Sequence, residues 1–168
     1  MKKIQQLSEF IDTSFPPFFD PSSDILILGS FPSVKSRETG FYYGHPQNRF
    51  WKVLAVVYSE NIPQTIDEKK QLLKRHNIAL WDVVSSCEIQ GSSDSSIKNV
   101  KPSDLNIIFS QCKIRHIYTG GNKAGQLYRK YLKPVTGRDA VVLPSTSPAN
   151  AAWTLDKLVE AWKIIKDV

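Results

Sequence analysis

Two kinds of hydrophobic pattern alternate along the chain. Short, mostly apolar runs predict strands that are buried on both faces, at residues 24–30, 78–84, 116–119 and 140–143. Longer segments whose apolar residues recur every three or four positions predict helices, at residues 47–57, 65–75, 103–112, 122–131 and 154–166. Because strands that alternate with helices form βαβ units, we expect an α/β fold: a three-layer αβα sandwich around a central, mostly parallel four-stranded sheet.

Four local predictions complete the picture of one domain spanning residues 1–168. Residues 3–11 are expected to form a short lead helix. Residues 31–46 and the Ser-rich residues 85–99 are expected to be loops. Thr65 and Glu68 have the spacing of a capping box, in which each side chain binds a backbone N–H at the start of a helix.

The composition narrows the class of protein. The 168 residues are 41% apolar and 23% charged, as in ordinary globular domains, and no apolar run approaches the roughly 18 residues of a membrane span. The first residues lack the apolar core of a secretion signal, so we expect a cytoplasmic location. Cys87 and Cys112 have no CxxC spacing, which excludes a disulfide scaffold and a zinc or iron–sulfur site built from cysteine alone.

The net charge is +6, from 22 Lys+Arg and 16 Asp+Glu. A positive excess favours polyanionic partners, because each neutralised phosphate releases counterions. A surface that is merely basic explains the charge equally well, since the chain has no polybasic run. The charge therefore permits binding to nucleic acid without demonstrating it.

The most unusual segments follow the predicted strands. They are residues 29–51, 82–97, 119–123 and 143–150. In a parallel sheet, ligands bind outside the carboxyl ends of the strands. We therefore expect these loops to form one site.

The first of these segments combines backbone and aromatic features. It contains Gly29-Ser30-Phe31-Pro32-Ser33 and then the run Gly40-Phe-Tyr-Tyr-Gly-His-Pro-Gln-Asn-Arg-Phe-Trp51. A strand that ends in Gly and Pro leaves backbone amides free to face a ligand. Aromatic faces together with fixed hydrogen-bond donors suit a flat ligand such as a nucleobase. The alternative is that the aromatic residues belong to the core and that Asn48 and Arg49 only cap a helix.

The last loop has three hydroxyl groups between two prolines, in Leu143-Pro-Ser-Thr-Ser-Pro-Ala-Asn150. Hydroxyl groups and amides on a stiff loop bind phosphate oxygens, and an apolar tip can enter a base stack. The alternative is a Ser/Thr-rich turn that caps the final helix.

These segments together resemble the uracil-DNA glycosylase superfamily and, within it, the hypoxanthine-DNA (deoxyinosine) glycosylases. The resemblance covers roughly residues 21–165, and it extends more distantly to the mismatch-specific uracil/thymine glycosylases, which share the Pro-x-Asn-Arg-Phe-Trp element. It implies a four-stranded parallel sheet flanked by helices. It also implies a monofunctional glycosylase that hydrolyses the N-glycosidic bond of a deaminated base in DNA, most of all hypoxanthine, by a reaction that needs no metal. Some relatives contain an iron–sulfur cluster, but two cysteines do not support one here. We therefore expect no cofactor, and for a repair glycosylase of this size we expect a monomer.

The resemblance also implies roles for the matching residues. Most members of the superfamily carry Asp or Asn at the position of Phe31, where it positions the attacking water, and in this branch the role passes to Asn48. A base extruded from the duplex would stack on Phe31 beside Tyr43. The backbone of the first motif would read its edge, through Gly29, Ser30, Phe31, Pro32 and Ser33. The last loop would bind DNA, through Ser145, Thr146, Ser147, Pro148, Ala149 and Asn150.

Other groups in the same segments could take part in the reaction. His45 could protonate a purine leaving group or contact a phosphate. Asp82 and Asp94 are the nearest candidate carboxylates. An amine at Lys52 or Lys123 could form an imine, which would make the enzyme a strand-cutting lyase.

Three alternative functions remain. A general uracil or mismatch glycosylase would use the same fold. A module that binds damaged DNA or a nucleotide without cleaving it is favoured by the apolar side chain at Phe31. An unrelated α/β hydrolase is disfavoured, because the sequence has neither a Gly-x-Ser-x-Gly elbow nor a phosphate-binding GxxxxGK[ST] loop.

Overall fold

The structure is a computed structural model that describes residues 9–12, 16–31, 34–89 and 98–166. The strands in this part of the chain are β1 (Glu9–Asp12), β2 (Ile25–Gly29), β3 (Ile78–Asp82), β4 (Val84–Ile89), β5 (Lys98–Pro102), β6 (His116–Gly120) and β7 (Val141–Leu143). The helices are α1 (Val34–Thr39), α2 (Phe50–Val57), α3 (Ile66–Arg75), α4 (Asn106–Phe109), α5 (Asn122–Leu127), α6 (Lys133–Thr136) and α7 (Leu155–Trp162). A π-helical turn (Tyr128–Leu132) joins α5 to α6, and a 3-10 turn (Lys163–Ile165) follows α7.

A four-stranded parallel sheet forms the centre of the molecule, as the hydrophobic runs predict. Its strand order is β3-β2-β6-β7, and every neighbouring pair is parallel. All five residues of β3 and the first four of β2 are buried, which requires cover on both faces of the sheet. Helix α3 packs against β3, and α5 packs against β6 and β7. The α/β fold with a central parallel sheet is therefore confirmed.

A second sheet was not expected. It is antiparallel, with strand order β1-β4-β5. Strand β1 replaces the end of the predicted lead helix (residues 3–11), whose residues 3–8 lie outside the described residues, and β4 and β5 occupy both ends of the predicted polar loop (residues 85–99). The pattern of residues did not predict β4, because it contains Ser85 and Ser86 and serine is typical of turns and loops. In the sheet its polarity is satisfied, since the Ser85 hydroxyl donates to the Lys101 carbonyl at 2.9 Å. Residues 90–97, which include Asp94, lie outside the described residues.

The boundaries of several helices also differ from the prediction. Helix α1 lies within the predicted loop at residues 31–46, and α2 begins at Phe50 rather than near residue 47. Helix α4 covers only part of residues 103–112, because Ser103 is tied to the end of β3: its hydroxyl donates to the Asp82 carbonyl at 2.7 Å. Thr65 caps α3 as predicted, with the Glu68 N–H donating to its side chain at 3.1 Å, but the capping box is only half formed, because the Glu68 carboxylate accepts the N–H of Gln64 rather than that of Thr65.

Helices α2 and α7 pack together beside the sheet and bring large aromatic side chains into the core. The ring of Phe50 forms T-shaped contacts with the rings of Trp51 and Trp162, and both Phe50 and Trp162 are fully buried. Such rings fix the position of α2, whose first turn adjoins the carboxyl ends of the strands. In the described ranges, the helices are too short or too polar to cross a membrane.

Candidate base-binding site

The carboxyl ends of the four central strands meet at one cavity of about 790 Å³. This size lies within the usual range of ligand pockets. Its lining comes from the ends of β2, β3, β6 and β7, and from the segment before α2. The residues are Gly29, Ser30, Phe31, Ser36, Tyr42, Tyr43, Asn48, Asp82, Gly120, Gly121, Asn122, Lys123, Ala124, Val142, Leu143, Pro144, Ser145, Thr146, Ser147, Ala149, Asn150, Trp153 and Trp162.

Asp82 ends β3 and lies against Gly29, its partner in β2. The approach is so close that a Cβ atom on Gly29 would lie 2.7 Å from Asp82 Oδ1. Asp82 is only 4% exposed, and its Oδ2 has no hydrogen-bond partner in the described part of the chain. Burial raises the pKa of the carboxyl group to about 7. Because Gly29 has no side chain, the buried carboxyl group of Asp82 can occupy the space beside it.

Tyr43 forms an aromatic wall that is already backed by the core. Its ring stacks on Phe50 with 3.8 Å between centroids and 15° between planes. The backbone reaches this arrangement in the left-handed region, at φ 53°. The hydroxyl lies above the ends of β2 and β6, where Cβ atoms on Gly29 and Gly120 would come within 3.6 and 3.8 Å. Burial, assisted by the nearby Asp82, raises the pKa of Tyr43 and keeps its hydroxyl neutral.

Phe31 lines the cavity and packs partly against the hydrophobic core. It directly follows Gly29 and Ser30, which also border the cavity. The other two members of the predicted base-reading segment, Pro32 and Ser33, lie outside the described residues.

Asn48 reaches the cavity with a fixed orientation. Its Oδ1 accepts the Phe50 N–H at 2.9 Å and the Thr146 hydroxyl at 2.8 Å. Both contacts are accepted by the amide oxygen, Oδ1. The amide nitrogen, Nδ2, therefore remains available to donate hydrogen bonds to a ligand or to water. Asn48 therefore binds the first turn of α2 and also lines the cavity, although the sequence presented these as alternatives.

Arg49 joins the start of α2 to the last loop. Its guanidinium group donates to the carbonyl oxygens of Ser147 and Asn150, each at 3.1 Å, and to that of Trp153. Its backbone N–H donates to the Thr146 carbonyl at 3.1 Å. We call this set of contacts the Arg49 clamp. It fixes the loop by charge-assisted hydrogen bonds, so Arg49 is a structural residue rather than a free cation for DNA.

The last loop is rigid through its own hydrogen bonds as well. The Ser145 hydroxyl accepts the Ser147 N–H, the Ser147 hydroxyl accepts the Ala149 N–H, and the Asn150 amide donates to the Ser145 carbonyl at 3.0 Å. Thr146 is buried, whereas Pro148 and Ala149 are exposed. The loop therefore presents an apolar tip next to half-buried hydroxyl groups.

The remaining predicted groups divide between the cavity and the surface. Lys123 is half-buried in the lining. His45 and Lys52 are exposed and lie outside the lining, and His45 Nδ1 accepts the Gln47 N–H at 3.1 Å. Trp153, which the sequence analysis did not single out, also borders the cavity, because the Arg49 clamp holds its backbone there.

A second surface depression of about 660 Å³ lies between residues 59–63 and α3. Two of its charged groups bind each other, since Glu60 accepts from the Arg75 guanidinium, and Glu60 also contacts the His76 ring. It is remote from the strand ends. We therefore assign the ligand site to the cavity at the central sheet.

Comparisons with known proteins agree with this architecture. The family model for the uracil DNA glycosylase superfamily matches residues 16–168. A protein named hypoxanthine DNA glycosylase from Methanosarcina acetivorans is 36% identical over 157 residues, covering 92% of this chain and 98% of that protein. One with the same name from Methanosarcina barkeri is 35% identical over 139 residues, covering 81% and 86%.

A solved structure has the same fold. The solution NMR structure of a proposed uracil DNA glycosylase from Methanosarcina acetivorans matches with a TM-score of 0.75 and 33% identity, over 90% of this chain and 96% of that one. The matched family, the extent of the identity and the shared fold all give the same assignment. The chain belongs to the uracil DNA glycosylase superfamily.

Proposed function

We propose that the protein is a base-excision repair glycosylase that hydrolyses the N-glycosidic bond of deaminated bases in DNA, with hypoxanthine as its principal substrate. The relatives named hypoxanthine DNA glycosylase, which align with almost the whole chain, support this choice. The proposal includes action as a monomer in the cytoplasm, without a metal or cofactor.

The observation that carries the proposal is the cavity of about 790 Å³ at the strand ends, which is large enough to accept an extruded base. A base inside a duplex cannot be attacked at its sugar, so it must first enter a pocket of the enzyme. The cavity offers Phe31 and the backed ring of Tyr43 as apolar walls and the backbone of Gly29 and Ser30 as an edge-reading surface. A two-ring purine gains more from such walls than a pyrimidine does.

In this proposal Asn48 holds the attacking water. Bond breakage gives the sugar oxocarbenium character, so the site needs a water held near C1′. The Oδ1 atom is occupied by Phe50 and Thr146, so the Nδ2 group would hold the water by donating to its oxygen. Asn48 thus positions the water without acting as a base.

The last loop would bind the flanking DNA. Ser145 and Ser147 lie at the cavity rim with half-buried hydroxyl groups that can turn toward phosphate oxygens, and Thr146 supports Asn48 from the same loop. Pro148 and Ala149 would press into the space that the extruded base leaves. His45, outside the cavity, would contact phosphate rather than the base.

A panel of duplexes with inosine, uracil, xanthine or adenine at one position tests the proposal. Strand cleavage that depends on alkali distinguishes base excision from binding and from lyase activity. We expect hypoxanthine release to exceed uracil release by about tenfold or more and adenine release to be undetectable, because adenine offers an amino donor where hypoxanthine offers the O6 acceptor. Equal or faster release of uracil would make the protein a general uracil glycosylase, and binding without release would make it a binding module.

A further inference from the structure

Asp82 is a buried carboxyl group for which the proposed chemistry above has no role. It is the only carboxyl group among the described residues that line the cavity. Its side chain is almost inaccessible, and Oδ2 has no partner in the described ranges. Since buried polar atoms in folded proteins are nearly always hydrogen-bonded, an unpartnered one at a ligand cavity indicates a group that the ligand completes.

The strand order shows which part of a nucleotide Asp82 would meet. Asp82 ends β3 at one edge of the central sheet, whereas the last loop, residues 144–150, follows β7 at the other edge. Neighbouring strands are about 4.8 Å apart, so the two edges are separated by roughly 14 Å. A nucleotide whose phosphates lie at the last loop would cross the strand ends with its base directed toward β3. Asp82 therefore faces the far edge of the base, whereas Asn48 is bonded to Thr146 on the phosphate side.

We propose that Asp82 is the catalytic acid, which enters the reaction neutral and donates its proton to the departing base. This assignment rests on the proposed function. As the C1′–N9 bond breaks, its electron pair leaves with the purine, and the carboxyl proton of Asp82 passes to a ring nitrogen or to O6. The water oxygen bonds to C1′, the water releases a proton to solvent, and solvent returns a proton to the Asp82 carboxylate. The base leaves neutral and the acid is restored.

The groups around Asp82 favour its neutral form. The titratable side chains that share the cavity lining are Tyr42, Tyr43 and Lys123. Burial raises the pKa of both phenols, so they stay neutral, and Lys123 makes no ion pair with the acid. Burial places the pKa of Asp82 near 7, where a general acid is most effective. A carboxylate at this point would instead repel the negative charge that develops on the base.

Single-turnover excision of inosine from a duplex, measured from about pH 5.5 to 9 with enzyme in saturating excess, tests the assignment. The wild-type rate should be constant below pH 7 and fall about tenfold for each pH unit well above it, as the acid ionises. Asp82→Asn keeps the shape and a hydrogen-bond donor but has no proton to transfer. We expect it to be about a hundredfold slower at pH 6 and to show no fall above pH 7. Circular dichroism at each pH verifies that both proteins remain folded.

Asp24→Asn is the matched control. Asp24 directly precedes β2, at the end of the sheet opposite the cavity, and should retain the wild-type rate and profile. A wild-type rate that does not fall across pH 7 would overturn the assignment of Asp82 alone, as would an Asp82→Asn rate within threefold of wild type at pH 6. Failure of the wild-type protein to release any deaminated base would overturn the proposed function and the assignment together.

Discussion

From the raised pKa of Asp82 we predict how the free energy of unfolding depends on pH, and this prediction is independent of catalysis. The native protein holds this carboxyl group with a pKa of about 7, whereas its ordinary value is 3.8. Between these values the unfolded chain binds fewer protons than the native state, so the free energy of unfolding decreases as pH rises from about 4 to 7. Below pH 4 and above pH 7, Asp82 contributes no further change. Asp82→Asn removes this ionisation and should therefore stabilise the protein at neutral pH.

The size of the effect follows from the same two values. At 1.36 kcal/mol for each tenfold change in proton affinity, raising the pKa from 3.8 to about 7 corresponds to about 4 kcal/mol. Asp82→Asn should thus be close to wild type in stability at pH 4 and about 4 kcal/mol more stable at pH 8. For a chain of 168 residues this difference corresponds to an increase in Tm of roughly 10 °C.

Urea unfolding of the two proteins at pH 4 and pH 8 provides the measurement. All other titrating groups are shared, so their contributions cancel in the difference between variant and wild type. The linear slope m should be equal for both proteins, because the change does not alter the surface exposed on unfolding. An equal difference at both pH values would refute the reasoning, because it would mean that the Asp82 carboxylate is solvated or paired in the native state.

Three further variants test the geometry of the cavity. Asn48→Ala removes the Nδ2 donor together with the acceptor for Phe50 and Thr146, so Tm should fall moderately and the single-turnover rate about a hundredfold; a rate within fivefold of wild type would mean that another group positions the water. Gly29→Ala places a methyl group 2.7 Å from Asp82 Oδ1, and calorimetry should show a loss of about 1–3 kcal/mol together with strongly reduced excision. The double variant with Ser145→Ala and Ser147→Ala should bind DNA of every sequence more weakly. The salt dependence of binding should change little, since hydroxyl groups displace few counterions. Unchanged affinity in a fluorescence titration would show that these hydroxyl groups do not contact DNA and that the loop serves only as a turn.

The central sheet could be predicted from sequence because burial on both faces produces nearly continuous apolar runs. The second sheet could not, because β1 and β4 are far apart in sequence and Ser85 and Ser86 have the composition of a loop. Pairing between distant segments supplies the stabilisation that local propensity does not.

In the site, too, features set by local sequence could be predicted, whereas features set by tertiary contacts could not. The motifs that line the cavity could be predicted, because each follows a strand whose carboxyl end points there. The burial of Asp82 could not, since it depends on tertiary contacts such as its close approach to Gly29 in the neighbouring strand. Likewise, the sequence could not orient Asn48, because Thr146, which fixes its amide, is 98 residues away.

The Arg49 clamp has a consequence for biosynthesis. It joins residues that are 98, 101 and 104 positions apart, so one wall of the cavity exists only after most of the chain has left the ribosome. Contacts of such long sequence separation also form late in folding, because closing the loop between them costs entropy. A prematurely terminated chain that ends before the last loop would lack this wall, and it would also lack α7, whose Trp162 packs against Phe50 in the core. Truncation should therefore abolish activity completely rather than leave a partly active fragment.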